Sequence, residues 1–211
     1  MKKQKHENKI HLILLGETGV GKTSIMRRFI NNEFISKSAS SIGMDYNFKS
    51  MKYNNKTYSI QIFDTAGQER FKSLVKTYYH IGDGFFIIFD LTNDNSLDAI
   101  KYWIESVNEI IENPKFIILG NKDDLQKNMK ISDDVIENQL KNYKDIIYIK
   151  TSAKAGTNIK QAFEKMIDLL ENDNNNNVQI EQEQNSKKNN SVVINKKDHK
   201  KKKKEKDKQC C

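Results

Sequence analysis

Short apolar runs alternate along the chain with segments whose apolar residues recur at helical spacing. The runs at 12–15, 85–89 and 116–119 have the continuous apolar character of buried parallel strands. Between the last two, apolar residues fall three and four positions apart from Leu97 to Ile111. This alternation predicts an α/β fold, a mostly parallel sheet with helices on both faces.

One pair of segments predicts a hairpin that adds an antiparallel edge strand. The alternation at 44–48 places Met44, Tyr46 and Phe48 on the apolar side of a half-buried strand. The asparagines at 54–55 can adopt the positive φ of a tight turn, and a second alternating segment follows at 58–62. Six strands are predicted, at about 9–15, 44–48, 58–62, 85–89, 116–119 and 146–149, with helices at about 21–31, 71–80, 97–111, 132–142 and 159–170.

The composition changes after residue 171. Residues 172–211 hold few apolar side chains, and such a segment cannot bury enough surface to offset its ordering entropy. We therefore predict a flexible segment at 1–8, a folded domain at 9–171 and a disordered tail at 172–211.

The net charge of +8 comes mainly from that tail, which holds 11 lysines and six acidic residues, a balance of +5. Such a segment suits an anionic membrane surface or nucleic acid. The folded part shows no basic stripe, so nucleic acid is not expected as a partner. The two cysteines, Cys210 and Cys211, are the last two residues, so no disulfide that staples the fold is predicted.

Residues 16–23 fit the pattern G-x-x-x-x-G-K-[ST], which binds nucleotide phosphates. Its glycines let backbone N–H groups approach the phosphates, and the dipole of the following helix favours the anion. Lys22 is expected to reach the β- and γ-phosphates, and the Thr23 hydroxyl to bind Mg²⁺. The nucleotide-binding candidates in this segment are Gly16, Glu17, Thr18, Gly19, Val20, Gly21, Lys22, Thr23 and Ser24.

Polar clusters follow three further strands, at 64–68, 121–124 and 151–154. The carboxyl ends of the strands are where open α/β sheets bind ligands. Asp64 supplies a carboxylate of the kind that holds Mg²⁺ in nucleotide hydrolases, often through water. The second cluster, Asn121-Lys122-Asp123-Asp124, fits the guanine motif Asn-Lys-Xaa-Asp. In it, we expect Asp123 to accept hydrogen bonds from N1–H and the 2-amine of guanine. Adenine lacks both donors, and such a mismatch costs on the order of several kcal/mol.

Taken together, these residues resemble the Rab-type small GTPases of the Ras superfamily over residues 9–171. The resemblance is carried by the phosphate loop, 42–46, 64–71, Tyr78-Tyr79, 121–123, 151–154 and the terminal Cys210-Cys211. It implies a P-loop NTPase small G domain that binds GTP and GDP with Mg²⁺ and hydrolyses GTP. It also implies a cycle between active and inactive states that recruits effectors in vesicle traffic.

The resemblance assigns roles to individual residues. Gln68 would orient the attacking water as the catalytic residue, and the Gly67 N–H would contact the γ-phosphate. Ser41 would join Thr23 and Asp64 in holding Mg²⁺. The base would be held by Phe34, Asn121, Lys122, Asp123, Ser152, Ala153 and Lys154. The implied switch and effector-recognition residues are Ser38, Ile42, Gly43, Met44, Asp45, Tyr46, Phe63 and Tyr78.

Three positions depart from the family pattern. Ser41 replaces a switch threonine, Ser38 replaces an aromatic over the γ-phosphate, and Thr18 replaces a small residue of the loop. With no internal arginine evident as a catalytic finger, slow intrinsic hydrolysis is expected, raised by an activating protein that inserts its own arginine. The alternative is a GTP-binding scaffold with little or no intrinsic hydrolysis.

The resemblance also implies partners and a location. The partners are effector proteins, an exchange factor, a GTPase-activating protein, and prenylation and membrane-extraction chaperones, with the protein itself a monomer. Geranylgeranyl groups on Cys210 and Cys211, next to nine lysines at 196–208, would anchor it to the cytoplasmic face of a membrane and leave a cytosolic pool.

Overall fold

The computed structural model describes residues 8–36, 44–65, 67, 72–143 and 146–173. The chain divides into two compact units, residues 1–168 and 169–211. The first unit carries the whole sheet. Of the second, residues 169–173 are described, and they are helical.

The described elements follow the alternation seen in the sequence. The strands are β1 (Asn8–Leu15), β2 (Met44–Tyr53), β3 (Lys56–Thr65), β4 (Gly84–Asp90), β5 (Phe116–Asn121) and β6 (Ile147–Lys150). The helices are α1 (Lys22–Asn31), α2 (Lys72–Lys76), α3 (Asp94–Asn108), α4 (Asp133–Leu140) and α5 (159–173), with short 3₁₀ helices at Tyr79–Ile81 and Gln126–Asn128. The second predicted helix is therefore two short pieces.

The six strands form one sheet in the order β2-β3-β1-β4-β5-β6. All neighbouring pairs are parallel except β2 and β3, which form an antiparallel hairpin. Asn54 and Asn55 make the turn, with φ of 47° and 61°. The predicted parallel sheet with one antiparallel edge strand is confirmed, and the carboxyl ends of the parallel strands meet at one edge.

Helices cover both faces of the sheet, as predicted. On one face, Ile100 and Trp103 of α3 pack in the same buried cluster as Phe85 and Ile87 of β4. On the other face, Phe29 of α1 stacks on Phe163 of α5 with ring centroids 3.6 Å apart, and Phe86 lies 4.9 Å from Phe163. In the part of the chain described, no helix is both long and apolar enough to cross a bilayer.

From Tyr46 onward, the edge strand β2 buries the face opposite to the predicted one. Tyr46 and Phe48 are 60% and 73% exposed, whereas Met51 on the opposite face is buried. Helix α1 covers that opposite face, where the Lys49 ammonium donates to the Phe29 carbonyl oxygen and lies over the Phe29 ring. The prediction that Tyr46 and Phe48 face the core is therefore wrong, because α1 packs on the side that carries Lys49.

Candidate functional site

A cavity of about 440 Å³ opens where the phosphate loop meets the loops after β3, β5 and β6. Its lining includes twelve of the residues predicted from the sequence: Thr18, Gly19, Gly21, Lys22, Thr23, Ser24, Phe34, Gly67, Asn121, Lys122, Ala153 and Lys154. Five lining residues were not predicted as ligands: Ile35, Ser36, Thr65, Asp124 and Leu125. The structure thus brings together loops that are separated by more than a hundred positions.

The phosphate loop folds around the Lys22 ammonium, which donates to the carbonyl oxygens of Gly16 at 2.9 Å and Glu17 at 3.0 Å. Burial lowers the pKa of Lys22 to about 8, against the opposing attraction of the Asp64 and Glu17 carboxylates. Removing an ammonium from water disfavours its charged form. A phosphate beside the ammonium would favour its charged form and so oppose the effect of burial on the pKa of Lys22.

Gly21 allows the loop to lie directly against the base-side residues. It has a φ of 101°, and a side-chain Cβ there would lie 2.3 Å from Asn121 Nδ2. Helix α1 begins at the next residue, and the Ile25 N–H donates to the Gly21 carbonyl oxygen at 2.9 Å. The helix is anchored by its buried apolar side, so its N-terminus is fixed at the cavity.

Two oxygen groups that could bind a metal ion, a hydroxyl and a carboxylate, lie together on the phosphate side. The Thr23 hydroxyl donates to Asp64 Oδ2 at 2.5 Å, and Asp64 is buried at the carboxyl end of β3. Asp64 lies behind Thr23 and is not itself a lining residue. Mg²⁺ prefers hard oxygen ligands and retains several of its waters, so this hydroxyl and carboxylate suit the cation.

Gly67 brings the segment after β3 into contact with the phosphate loop. A Cβ at this position would lie 2.5 Å from Lys22 Nζ and 2.6 Å from the Gly16 carbonyl oxygen. Real Cβ atoms essentially never approach so closely. Glycine is therefore required wherever this segment lies against the loop, which keeps the Gly67 backbone beside the phosphate-binding ammonium.

Asn121 ties the two sides of the cavity together. Its Nδ2 donates to the Val20 carbonyl oxygen at 2.8 Å, and its Oδ1 accepts from the Ala153 N–H at 3.1 Å. The side chain is buried, so both hydrogen bonds are shielded from water. The phosphate loop, the end of β5 and the loop after β6 are thus held by one amide.

Asp124, and not Asp123, is the carboxylate that lines the cavity. Asp124 Oδ1 accepts from the Ser152 hydroxyl at 2.6 Å, and Lys154 Nζ lies 3.7 Å from Oδ2. Asp123 instead accepts from the Gln126 side chain at 3.1 Å. The prediction that Asp123 faces the ligand is wrong, because the turn after β5 directs the next carboxylate inward. The sequence did carry a signal that distinguishes the two carboxylates, because the spacing Asn-Lys-Xaa-Asp places its aspartate at position 124.

Two positioning residues were missed in the sequence. Asp90 is buried at the end of β4, and its carboxylate pairs with Lys122 Nζ at 2.6 Å. This ion pair fixes the side chain of Lys122, a residue with a backbone φ of 69°. Arg28 of α1 donates to the carbonyl oxygens of Ala153 at 2.7 Å and Lys154 at 2.8 Å. An acidic residue directly after the apolar run at 85–89 was a signal for Asp90. Nothing local marks Arg28.

The other predicted nucleotide-binding residues support the cavity from behind. Gly16 supplies a carbonyl oxygen to Lys22 and Val20 one to Asn121, and the Ser152 hydroxyl is held by Asp124. Glu17 turns its carboxylate away to Lys72, whose Nζ lies 2.9 Å from Oε1. These residues shape the loops without lining the space between them.

The predicted recognition residues are only partly at the surface. Tyr46 is exposed, whereas Phe63 is buried beneath it with ring centroids 6.2 Å apart, and Tyr78 is half-buried. Met44 packs against the core, and the exposed Asp45 carboxylate accepts from the Tyr46 N–H at 2.8 Å. Seven predicted residues lie outside the described ranges: Ser38, Ser41, Ile42, Gly43, Gln68, Cys210 and Cys211.

The sheet order, the phosphate loop and the base-side loops define a nucleotide-binding P-loop protein of the small G-domain type. A family model described as "Ras family" matches residues 11–172. The Ras-related protein RIC1 of Oryza sativa subsp. japonica is 33% identical over 162 residues, which cover 76% of this chain and 80% of that protein. The Ras-related protein Rab-8B of Pongo abelii is 37% identical over 153 residues, 72% and 73% of the two chains.

A third relative, the Ras-related protein Rab-27A of Rattus norvegicus, is 35% identical over 173 residues, 76% of this chain and 78% of that protein. The chain therefore belongs to the Ras family and is a Rab-type small GTPase, an enzyme that hydrolyses GTP to GDP and phosphate. The ligand class of the cavity is accordingly guanine nucleotide.

Proposed function

We propose that this protein is a switch in membrane traffic that recruits effectors with GTP bound and releases them with GDP bound. The observation that carries the proposal is the close approach of Gly67, two residues after β3, to Lys22 and Gly16 of the phosphate loop. A γ-phosphate held by Lys22 would contact this segment directly, so its loss would be sensed there. An exchange factor would then replace GDP with GTP and restart the cycle.

Within this proposal, Asp124 selects the base. Its carboxylate is held by Ser152 and Lys154 at the cavity wall, and it presents planar acceptor oxygens. Guanine offers two adjacent donors to such a group, N1–H and the 2-amine, and adenine offers neither. Phe34, 37% exposed on the opposite loop, would cover the base, and the stem of Lys122 would lie along it.

Competition between GDP and ADP tests this assignment. Asp124→Asn should weaken GDP binding about 100-fold, since hydrogen bonds to a charged group contribute about 1.5–3 kcal/mol each. Asp123→Asn is the matched control and should stay within about threefold of the wild type, because Asp123 is outside the cavity lining. The opposite ranking of the two variants would return the base-reading role to Asp123.

Mg²⁺ would be held by the Thr23 hydroxyl and, through water, by Asp64, with Ser41 as a further ligand outside the described ranges. The cation would neutralise charge on the phosphate oxygens. The chain's own contribution is to keep the two oxygen donors adjacent and next to Lys22.

The hydrolytic step would depend on Gln68, which orients the attacking water, and on the Gly67 N–H. Arg28 is not placed as a catalytic cation, because its guanidinium is engaged by the loop after β6. We therefore expect slow intrinsic hydrolysis that an activating protein raises by supplying an arginine. Thr18 lines the cavity at the phosphate loop and favours the second candidate, a GTP-binding scaffold with little or no hydrolysis.

We also propose that the protein resides on the cytoplasmic face of a membrane, with a cytosolic pool held by extraction chaperones. The support is in the sequence, where nine lysines at 196–208 precede Cys210 and Cys211. One lipid chain is a marginal anchor, whereas two chains, or one chain with a basic segment, are stable.

Binding of the prenylated full-length protein to vesicles with anionic lipid tests the anchor. Cys210→Ser/Cys211→Ser, which retains every lysine, should reduce the bound fraction at least tenfold. Equal binding by this variant would show that charge alone holds the protein at the surface.

A further inference from the structure

The ammonium of Lys72, the first residue of α2, joins the phosphate loop to this helix. Lys72 Nζ lies 2.9 Å from Glu17 Oε1, the side chain of the second residue of the loop. The two side chains are only 24% and 31% exposed. An ion pair that is largely removed from solvent is screened less by water and salt than one on an open surface.

The same ammonium also contacts helix α3. It lies over the ring of Tyr102, 4.4 Å from the centroid, and over that of Trp103, 5.2 Å from the centroid. These two rings meet edge to face, and Trp103 is 1% exposed within the core. Since α3 is anchored in the core, the aromatic pair is a fixed platform on which the cation rests.

Glu17 therefore connects two lysines with different roles. Its carbonyl oxygen accepts from Lys22, the phosphate-binding ammonium, and its carboxylate pairs with Lys72. A nucleotide phosphate that drew Lys22 toward the cavity would remove one of the bonds that hold the Glu17 backbone. The position of Glu17, and through it the ion pair with α2, would then depend on what occupies the phosphate site.

We propose that Lys72 is a positioning residue that couples occupancy of the phosphate site to the position of α2 through Glu17 and the Tyr102–Trp103 pair. The inference rests on the proposed function, because Gln68 and Gly67 precede α2 by four and five residues. Both residues are joined to α2 through the chain, so the position at which α2 begins should affect them. Loss of the anchor should slow hydrolysis while leaving nucleotide binding nearly unchanged.

Single-turnover hydrolysis and GDP dissociation, measured on the full chain, test the coupling. Lys72→Met removes the charge and keeps the stem, and it should lower the hydrolysis rate five- to tenfold with GDP affinity within threefold. Lys72→Arg, which keeps the charge and can stack on the rings, should stay within twofold of the wild type. Lys76→Met is the control on the same helix, because Lys76 pairs with Glu109 at 2.8 Å and should leave the rate within twofold.

Glu17→Gln completes the test and remains informative if Lys72→Met does not fold. It should slow hydrolysis to the same extent as Lys72→Met, and the double variant should be no slower than the slower single variant, within twofold. Multiplying effects in the double variant, or a wild-type rate in both single variants, would overturn the coupling.

Trp103 is the only tryptophan of the chain, so its emission reports on the platform directly. Wild-type emission should differ between the GTP and GDP complexes, and Lys72→Met should abolish that difference. Equal differences in both proteins would contradict the inference. A wild type that binds GTP without cleaving it would overturn the proposed hydrolysis instead, and the emission comparison would then decide the coupling by itself.

Discussion

The side-chain amide of Asn121 donates to the carbonyl oxygen of Val20 at 2.8 Å and so joins the end of β5 to the phosphate loop. Its oxygen accepts from the Ala153 N–H in the loop after β6. Gly21 lies directly against the same amide. The phosphate side and the base side of the cavity are thus parts of one buried hydrogen-bond network.

Asn121→Ala should therefore affect folding and binding together. Two buried backbone groups lose their partners, which should lower the free energy of unfolding by about 2 kcal/mol. GDP affinity should fall at least tenfold, because the loops are no longer held at their separation. Urea unfolding and competition binding measure the two effects. Asn128→Ala, at an exposed position, should change neither, and equal stability of both variants would contradict the assigned role of Asn121.

Lys22 predicts a pH dependence of nucleotide binding. Burial lowers its pKa to about 8 in the nucleotide-free protein, whereas a phosphate beside the ammonium favours the protonated form. GDP affinity should therefore fall as the pH rises above about 8, by up to about tenfold per unit. Calorimetry in two buffers of different ionisation enthalpy should detect proton uptake at pH 8.5 and little at pH 7. No difference between the two pH values would contradict the lowered pKa.

The lowered pKa of Lys22 has the opposite effect on folding: it makes the free energy of unfolding rise with pH, whereas the GDP affinity falls. In the unfolded chain Lys22 keeps its ordinary pKa of 10.5, so between about pH 8 and 10.5 the unfolded state binds more protons than the folded state. The free energy of unfolding of the nucleotide-free protein should therefore gain a contribution that rises with pH over this window. Urea unfolding of the wild type and of Lys22→Met should differ in slope there, and parallel curves would show that folding leaves the pKa of Lys22 unchanged.

Gly67→Ala should impair hydrolysis more than GDP binding. The added methyl group would lie 2.5 Å from Lys22 Nζ, so the segment after β3 would have to move away from the phosphate loop. We expect the single-turnover rate to fall at least tenfold, with GDP affinity changed less. Gly82→Ala is the control, because its methyl group meets the flexible end of Ile13 and lies outside the cavity lining. Similar losses in both variants would indicate a general effect of glycine replacement.

Arg28→Met should accelerate GDP dissociation about tenfold. The guanidinium holds the carbonyl oxygens of Ala153 and Lys154 and also donates to the Asn32 carbonyl oxygen at 2.7 Å, so its loss frees the loop that faces the base. Stopped-flow displacement of a fluorescent GDP analogue measures the rate. Arg27→Met, one position earlier on α1, is the matched control and should dissociate GDP at the wild-type rate.

The sequence predicted the fold well where local patterns agree with the tertiary structure. Continuous apolar runs identified the central strands, and the Asn54-Asn55 turn identified the hairpin. The same reasoning failed for Tyr46 and Phe48, because an alternating pattern separates the two faces of a strand without indicating which face a helix covers. Which face of β2 is buried depends on how α1 packs against the sheet, and this packing is a long-range property.

The site was predictable to the extent that its chemistry lies in contiguous motifs. The phosphate loop carries its own signature, and five of its eight residues line the cavity. Adjacent Asp123 and Asp124 could be distinguished only by motif spacing, since both are carboxylates after the same strand. Asp90 and Arg28 contact residues of loops that are far away in the sequence, so no local pattern predicts these contacts.

Single-turnover hydrolysis of Mg²⁺-GTP by the full-length protein, beside Gln68→Leu and with excess ATP as competitor, tests the central claim most directly. We predict slow cleavage that Gln68→Leu reduces at least tenfold and that ATP does not inhibit. Tight GTP binding without cleavage would contradict the proposed switch and favour the GTP-binding scaffold. Thr18 would then be the first position to replace with a small residue. Inhibition by ATP would contradict the guanine selectivity assigned to Asp124.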